Sequence, residues 1–325
     1  MTNDVSALID KVQALVTTGA PVDRYFDSLH RLCSVAPMSL GSQFGPGIEV
    51  YRGTKHHTAV PVTIEELWFP PPASAPLGRA NRPGNPMFYC CSDPNGAFRE
   101  IGVQVGQLIV YAKWVTTAPM LLHDLGYTQA VLARAGSNRK LSTEQATFYD
   151  VRLNDAGRVI RDFVALSFTE PTARAYPFTA AIAEFHLRGE AFAGLRYPAV
   201  SKAANVDNLA LAPAFVRSGL KLVEARLVAV DTVDEDGSIG GNVHAELSHV
   251  APDGRLLWRL TERGMDLRPG EGTPLRPGDK VRLQSSGSIK IGTDSFEVQV
   301  GYSVEVTSDG RAVVRNLRGD IVEPI

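Results

Sequence analysis

The chain has 325 residues, of which 44% are hydrophobic and 21% are charged, and its net charge at pH 7 is −2. This composition excludes a mainly disordered chain, and the charge balance excludes a generally basic surface that coats nucleic acid. The length suits about two domains at roughly 150 residues each. No apolar run reaches the roughly 18–20 residues of a membrane span, and three cysteines cannot build a disulfide framework. We therefore expect a cytoplasmic protein that binds neither membranes nor, directly, nucleic acid.

The first 45 residues predict a helical hairpin. Apolar residues recur at helical spacing over 5–16, Gly19-Ala20-Pro21 interrupts the pattern, and one apolar face resumes over 25–33. The hairpin either packs on the main domain or forms a dimer contact. Residues 34–48 are rich in Gly, Ser and Pro, and we expect them to be an irregular lead-in.

The remainder of the chain predicts an α+β fold with a β-rich C-terminal segment. Short strands (49–54 and 86–92) alternate with helical patterns (92–107, 158–168 and 178–193). After about residue 220 the apolar residues alternate with period two, and turn pairs such as Asp236-Gly237 separate the runs. This pattern predicts antiparallel hairpins over 226–325.

Histidines and cysteines do not form a recognisable metal or nucleophile motif. His56 and His57 are adjacent, so in a strand their side chains point to opposite faces. Cys90 and Cys91 stand in an apolar strand, where a small-hydrophobe role is favoured over a nucleophilic one. We expect no metal site.

The densest candidate for a functional site is the stretch 67–100. A Gly/Pro-rich loop carries Arg79, Asn81 and Arg82, a strand follows near Tyr89, and a helix then carries Glu100. Two arginines beside backbone N–H groups can hold a pyrophosphate, and a carboxylate with a nearby aromatic ring can stabilise an oxocarbenium ion. An ordinary arginine–glutamate ion pair on a loop explains the same composition, and composition alone favours it.

Two separated motif blocks resemble the signature of the RES domain family. The first block comprises Tyr51-Arg52, the prolines at 70–72, Gly78-Arg79-Ala80-Asn81-Arg82-Pro83-Gly84, Phe88-Tyr89 and Ala97-Phe98-Arg99-Glu100. The second comprises Tyr176-Pro177-Phe178-Thr179, the run from Gly194 to Val200, and Asn208-Leu209-Ala210-Leu211. The resemblance covers residues 48–225. Two separated blocks in the same order as in the family are a more specific signal than either block alone.

The resemblance implies an ADP-ribosyltransferase-like core that binds NAD in a cleft over residues 48–225. Members consume NAD as a substrate, not as a cofactor, by breaking the nicotinamide–ribose bond. The acceptor is water or phosphate, or a macromolecule if the chain is an ADP-ribosyltransferase. Such toxins often pair with a Xre-like helix-turn-helix antitoxin. We expect NAD as a partner, and this antitoxin is the candidate protein partner. Whether the chain forms a homo-oligomer stays open.

The same resemblance assigns roles to individual residues. Arg52 and Arg79 would grip the phosphates, and Tyr89 would lie against the nicotinamide or its ribose. Glu100 would bind ribose hydroxyls and offset the growing positive charge, and Asn208 would orient the ribose. The implied catalytic residues are thus Glu100, Arg79 and Tyr89, and the implied NAD-binding residues are Arg52, Asn81, Arg82, Ser201 and Asn208.

Ala199 is the main departure from the family pattern. Members usually carry serine in the Tyr-Pro-Ser-Val version of this block, whereas this chain reads Tyr-Pro-Ala-Val. Ser201 lies two residues on and would face the same side of a strand, so two alternatives stay open: Ser201 replaces the missing hydroxyl, or the site is weakened. Two functions therefore stay open. One is an NAD-consuming enzyme, and the other is a RES-like module that binds NAD, another ADP-containing ligand or a protein with little turnover.

Overall fold

The structure is a computed structural model, and the residues that it describes are 2–56, 60–189, 191–199, 205–234, 238–260, 280–283, 287–291, 294–299, 301–307 and 311–324. Its elements are helices and a mixed sheet, as predicted for an α+β chain. The chain divides into two compact units. The first comprises Met1–Arg52, Trp68–Glu100 and Trp114–Lys221, and the second comprises Gly53–Leu67, Ile101–Lys113 and Leu222–Ile325.

The α-helices of the described chain all lie in the first unit. They are α1 (Thr2–Thr17), α2 (Phe26–Val35), α3 (Pro94–Glu100), α4 (Gln129–Arg134), α5 (Thr143–Val151), α6 (Asp155–Phe168), α7 (Tyr176–His186) and α8 (Pro213–Gly219). Local capping explains several of their starts. The side chain of Asn154 accepts the Gly157 N–H at 2.8 Å before α6, and Ser142 and Gln145 form a capping box before α5.

The strands that precede α8 are β1 (Leu40–Phe44), β2 (Glu49–His56), β3 (Phe88–Cys91), β4 (Leu108–Thr116), β5 (Met120–Asp124), β6 (Gly194–Pro198) and β7 (Asp207–Leu211). Six of these strands, all except β4, lie side by side in the order β1-β5-β6-β7-β3-β2. Strand β7 runs antiparallel between β6 and β3, so that Asn208 lies opposite Cys91 on one side and opposite Tyr197 on the other.

One apolar cluster joins the N-terminal helices to the rest of the first unit. Val12 of α1 and Leu29 of α2 are fully buried in it together with Ile160 of α6, Phe178 of α7 and Leu195 of β6. The helical hairpin predicted for the N-terminus is present. Of the two roles predicted for it, the structure shows packing on the main domain.

The second unit is built from strands. They are β8 (Leu220–Val233), β9 (Ile239–Val250), β10 (Leu256–Leu260), β11 (Lys280–Arg282), β12 (Gly287–Ile291), β13 (Asp294–Val298), β14 (Ser303–Val306), β15 (Ala312–Arg315) and β16 (Ile321–Val322). Pairings β8–β9, β9–β10, β12–β13, β11–β14, β14–β15 and β15–β16 are all antiparallel, as the period-two pattern predicted. Phe296, Val304 and Val314 centre a small core of their own.

Several local predictions need correction or fall outside the described residues. The helix predicted over 178–193 starts at Tyr176 and ends at His186. The lead-in 34–48 contains strand β1, which pairs with β5, although its composition predicted irregular backbone. The helix predicted over 92–107 ends at Glu100, and Gly102 follows in the left-handed region with φ of 58°. His57, Ser201 and the Asp236-Gly237 turn lie outside the described residues. In the part of the chain that is described, no helix is both long and apolar enough to cross a membrane.

Candidate functional site

A cavity of about 440 Å³ in the first unit collects residues from both motif blocks. Its volume falls within the range of roughly 300–1,000 Å³ that is typical of small-molecule sites. The lining residues come from five separate stretches of chain: Arg79, Arg99, Glu100, Thr169, Pro171, Tyr176, Tyr197, Pro198 and Asn208. Three predicted site residues, Arg79, Glu100 and Asn208, are therefore brought together.

Glu100 reaches the cavity as the last residue of α3. The Asp93 carboxylate accepts the Gly96 N–H at 2.8 Å and thereby satisfies an orphan donor at the start of this helix. A side chain at Gly96 would overlap Cys91 Sγ, so glycine is what lets α3 lie directly against β3. Ala97 and Phe98 are buried while Glu100 is exposed, which leaves the carboxylate at the cavity.

Arg79 is held with its charge at the same cavity. Its Nη1 donates to the backbone carbonyls of Phe168 and Glu170, the second at 2.8 Å, and its guanidinium carbon lies 5.3 Å from the centre of the Tyr176 ring. Phe168 is the last residue of α6, where carbonyls lack helical partners and a cation is favoured by the helix dipole. The end of α6 thus fixes where this positive charge lies.

Asn208 places a buried acceptor at the cavity. Its side chain is 4% exposed, and among the described residues Oδ1 has no hydrogen-bond partner. Leaving a buried acceptor unpaired costs about 1–3 kcal/mol, and a donor group that reached Oδ1 would remove this cost. The neighbouring Asp207 is held by an ion pair with Arg139 and by the Tyr127 hydroxyl, which donates to it at 2.9 Å.

Tyr197 forms part of the cavity wall. It is 4% exposed and packs edge-on against Phe168 with ring centres 5.1 Å apart. Burial, with the Glu100 charge second, raises the pKa of Tyr197 well above its ordinary value, so the hydroxyl keeps its proton. Tyr176 and Tyr197 were not among the predicted site residues, although both belong to the second motif block, which could have indicated them. Thr169 also lines the cavity, but it belongs to neither motif block, so no sequence pattern indicated it.

Tyr89 and Asn81 support the loop that carries Arg79. The Tyr89 hydroxyl donates to Asn81 Oδ1 at 2.7 Å and accepts the Ala80 N–H at 2.8 Å. The Asn81 amide donates to the carbonyl of Pro76 at 2.8 Å. A side chain at Gly78 would overlap both the Asn81 amide and the Tyr89 hydroxyl, which explains the glycine of the motif. Within the described chain, neither Tyr89 nor Asn81 belongs to the cavity lining.

Arg52 and Arg82 also lie outside that lining. Arg52 donates from Nη1 to the Tyr89 carbonyl at 2.7 Å, and its guanidinium carbon lies 5.1 Å from the centre of the Phe88 ring. Burial lowers the pKa of Arg52 to about 10, which leaves it cationic at neutral pH. Arg82 forms ion pairs with Glu184 at 2.6 Å and Asp23 at 2.9 Å, and it lines a different cavity.

Ala199 brings no polar group to the site. Its side chain is fully buried, and its N–H donates to the Val206 carbonyl at 2.8 Å. Ser201, the predicted replacement for the family serine, is outside the described residues, so its role stays a prediction.

Comparison with protein families gives a match over part of the chain. The family model described as the RES domain matches residues 49–231, which is more than half of the chain and includes every residue of the cavity lining. No curated protein matches the chain. The family match agrees with the resemblance drawn from the two motif blocks.

Proposed function

The chain belongs to the RES domain family, and we propose that it is an enzyme that consumes NAD by breaking the bond between nicotinamide and ribose. One observation carries the proposal. Arg79, Glu100 and Asn208 lie far apart in the sequence and on three different elements, yet they line one cavity of small-molecule size.

The proposed reaction needs charge stabilisation more than a protein nucleophile. When the glycosidic C–N bond breaks, its electron pair leaves with nicotinamide, which becomes neutral, and positive charge develops on the ribose. Water then attacks the anomeric carbon and loses a proton, which gives ADP-ribose; phosphate would give the corresponding sugar phosphate. The Glu100 carboxylate stabilises the cationic ribose of the transition state more strongly than it stabilises the bound substrate. Such differential stabilisation accelerates the reaction.

The other lining residues bind and orient the substrate. Arg79 supplies positive charge for the pyrophosphate. Both of its hydrogen bonds to described backbone carbonyls come from Nη1, so Nη2 and Nε are the donors for the substrate. Asn208 Oδ1 accepts a hydrogen bond from a ribose hydroxyl. Tyr89 and Asn81 act as positioning residues that hold the loop carrying Arg79. Arg52 is a positioning residue as well, because it donates to the Tyr89 carbonyl and so holds Tyr89 in place.

The biological setting belongs to the proposal as well. We propose a toxin-like role in the cytoplasm, with a Xre-like antitoxin as a protein partner and a homo-oligomer as a possible assembly. Water, phosphate and a macromolecule are the candidate acceptors.

Ala199 favours the second candidate function, a module that binds NAD or another ADP-containing ligand with little turnover. The family serine would bring a hydroxyl to this block, whereas Ala199 is apolar and fully buried. Loss of one polar contact with a reacting substrate lowers the rate without abolishing binding.

Proton NMR of NAD with the purified full chain distinguishes the two functions. For the enzyme we expect free nicotinamide to accumulate, and a phosphate-dependent change in the second product would identify the acceptor. A protein-free sample controls for spontaneous decay. Broadening of the NAD resonances without any nicotinamide release would reject the enzyme and favour the binding module.

A further inference from the structure

The loop that carries Arg79 also contributes to a second cavity, of about 570 Å³, in the first unit. Ala80, Asn81 and Arg82 line it. Arg79 lines the cavity of about 440 Å³ described above, which we call the candidate NAD cavity, and the two linings share no residue. The proposed NAD reaction does not use this second cavity. We call it the Arg217 cavity, after the arginine of α8 that lines it.

Positive charge exceeds negative charge in the lining of the Arg217 cavity. Three arginines, Arg82, Arg188 and Arg217, face one glutamate, Glu184. Glu184 is already occupied, because it forms an ion pair with Arg82 at 2.6 Å. In the described part of the chain, neither Arg188 nor Arg217 forms an ion pair with a carboxylate. Arg188 Nη1 lies 3.3 Å from His30 Nε2, so its remaining N–H groups are the ones left for a ligand.

Both of these arginines are oriented by aromatic rings. The guanidinium carbon of Arg188 lies 4.5 Å from the centre of the Phe26 ring, and that of Arg217 lies 5.3 Å from the centre of the Phe69 ring. An arginine packed over a ring keeps its in-plane N–H donors available for a carboxylate or phosphate. The rings therefore reduce the conformational freedom that binding an anion would otherwise cost.

The rest of the lining is apolar. Phe69, Met87, Leu187 and Pro213 contribute side chains that can cover an apolar or aromatic body. A small inorganic anion would leave this surface exposed, and a neutral apolar ligand would leave two guanidinium groups without a counter-charge. The lining suits a ligand that combines both properties.

We propose that the Arg217 cavity binds a small organic anion, a phosphate or carboxylate carried on an apolar or aromatic body. The anionic group pairs with Arg188 and Arg217, and the body packs against Phe69 and Met87. Because the occupant contacts Ala80 and Arg82, it touches the loop that carries Arg79. The proposal does not depend on NAD turnover.

The test uses three probes that share one ring system: 1-naphthyl phosphate, 1-naphthoate and the neutral 1-naphthalenemethanol. Binding to the full chain is measured by the fluorescence of the naphthyl group. We expect at least one anionic probe to bind about tenfold or more tightly than the neutral probe, since a charge-assisted contact is worth about one order of magnitude. The tighter of the two anions identifies the phosphate or the carboxylate source.

Variants locate the bound probe. Arg217→Met and Arg188→Met should each weaken the anionic probe by about tenfold and leave the neutral probe unchanged, and Arg217→Lys should restore part of the loss. Arg99→Met removes a cation of the other cavity and should leave probe binding unchanged. Equal binding of charged and neutral probes, unaltered binding by Arg217→Met, or loss in Arg99→Met would overturn the proposal. Arg188 and Arg217 are both exposed, and the Arg217 variants test the site even where loss of the Arg188–His30 contact impairs folding.

Discussion

Two arginines three residues apart in one loop have different surroundings, and this difference gives a first prediction. Arg79 lines the candidate NAD cavity, whereas Arg82 pairs with Glu184 and lines the Arg217 cavity. Arg79→Ala removes a cation that would contact the pyrophosphate in both the ground and transition states, so we expect the Kd for NAD to rise about 10- to 100-fold. Calorimetric titration with NAD measures this.

The matched control for that measurement is Arg82→Ala. Its ion pairs lie away from the candidate NAD cavity, so we expect its Kd for NAD to stay within about twofold of the parent value. An equal loss of affinity in both variants would show that the loop as a whole, and not the Arg79 charge, is responsible.

Asn208 and Asn81 form a second matched pair, because both are buried but only one has its acceptor satisfied. Asn208→Leu removes an unpartnered Oδ1, so we expect little or no loss in the free energy of unfolding but at least about tenfold weaker NAD binding. Asn81→Leu breaks the hydrogen bonds to Tyr89 and Pro76, and we expect it to destabilise the fold by about 1–3 kcal/mol. Urea unfolding and NAD titration measure both effects. Strong destabilisation by Asn208→Leu would contradict the account.

The motif blocks named three residues that line one cavity, but they did not predict where the other candidate site residues lie. Arg79, Glu100 and Asn208 line the cavity, and their roles stay predictions. In an irregular loop no period of 2 or 3.6 residues fixes side-chain direction, so the sequence assigned both Arg79 and Arg82 to the NAD site although they line different cavities. The engagement of Tyr89 with Asn81 likewise depends on the fold of the loop, which spacing does not reveal.

At the level of helices and strands, the contact between α7 and β5 predicts a dependence of stability on pH. His186 of α7 lies 4.7 Å, ring centre to ring centre, from His123 of β5, and Ser39 contacts both rings. Burial, with the charges of His123 and Arg161 next, lowers the pKa of His186 from 6.5 to about 3. The folded state therefore keeps this imidazole neutral where the unfolded state takes up a proton.

The sign of the effect follows from that difference in proton uptake. Between pH 6.5 and 3 the unfolded chain binds more protons, so stability falls as the pH falls through this window. From pH 6.5 to 5 His186 should cost about 1.5 kcal/mol of unfolding free energy. We expect His186→Gln to flatten this slope, whereas His249→Gln, at an exposed position, should leave it unchanged. Urea unfolding at several pH values tests this, and identical slopes for the parent and His186→Gln would refute it.

Strand β1 shows why some elements escape prediction. Leu40–Phe44 contains glycine, serine and glutamine, and its neighbourhood reads as a loop. It becomes a strand because β5, about 80 residues away, offers a free edge, and Ser42 donates to Asp124 of that strand at 2.8 Å. Long-range pairing of this kind overrides local propensity. The amphipathic helices α1, α2 and α6 were predictable because the helical spacing of their apolar residues can be read within each segment.

For the molecule as a whole, the division into two units predicts that a loss of stability in the C-terminal core leaves the affinity for NAD unchanged. Val304 is fully buried in the small core of the second unit, whereas every residue of the candidate NAD cavity belongs to the first. Val304→Ala deletes two buried methyl groups and should lower stability by about 1–3 kcal/mol. Its Kd for NAD should stay within about twofold of the parent value. A parallel loss of stability and NAD affinity would contradict this separation.

The sequence predicted the α+β class and the family, because composition, period-two alternation and two ordered motif blocks all carry local information. The family match over 49–231 lies close to the span of 48–225 inferred from the motifs. The predicted domain boundaries stay predictions. The assignment of Gly53–Leu67 and Ile101–Lys113 to the second unit arises from contacts between distant segments, which no single stretch of sequence records.

The most direct test of the account compares nicotinamide release by the parent chain and by Glu100→Gln. The substitution keeps the shape and hydrogen-bonding capacity of the side chain but removes the charge that would stabilise the cationic ribose. We expect NAD binding within a few-fold of the parent and release of nicotinamide slower by about 100- to 1,000-fold. Equal release by the two proteins would contradict the catalytic role of Glu100, and NAD binding without release by either would contradict the proposed enzyme.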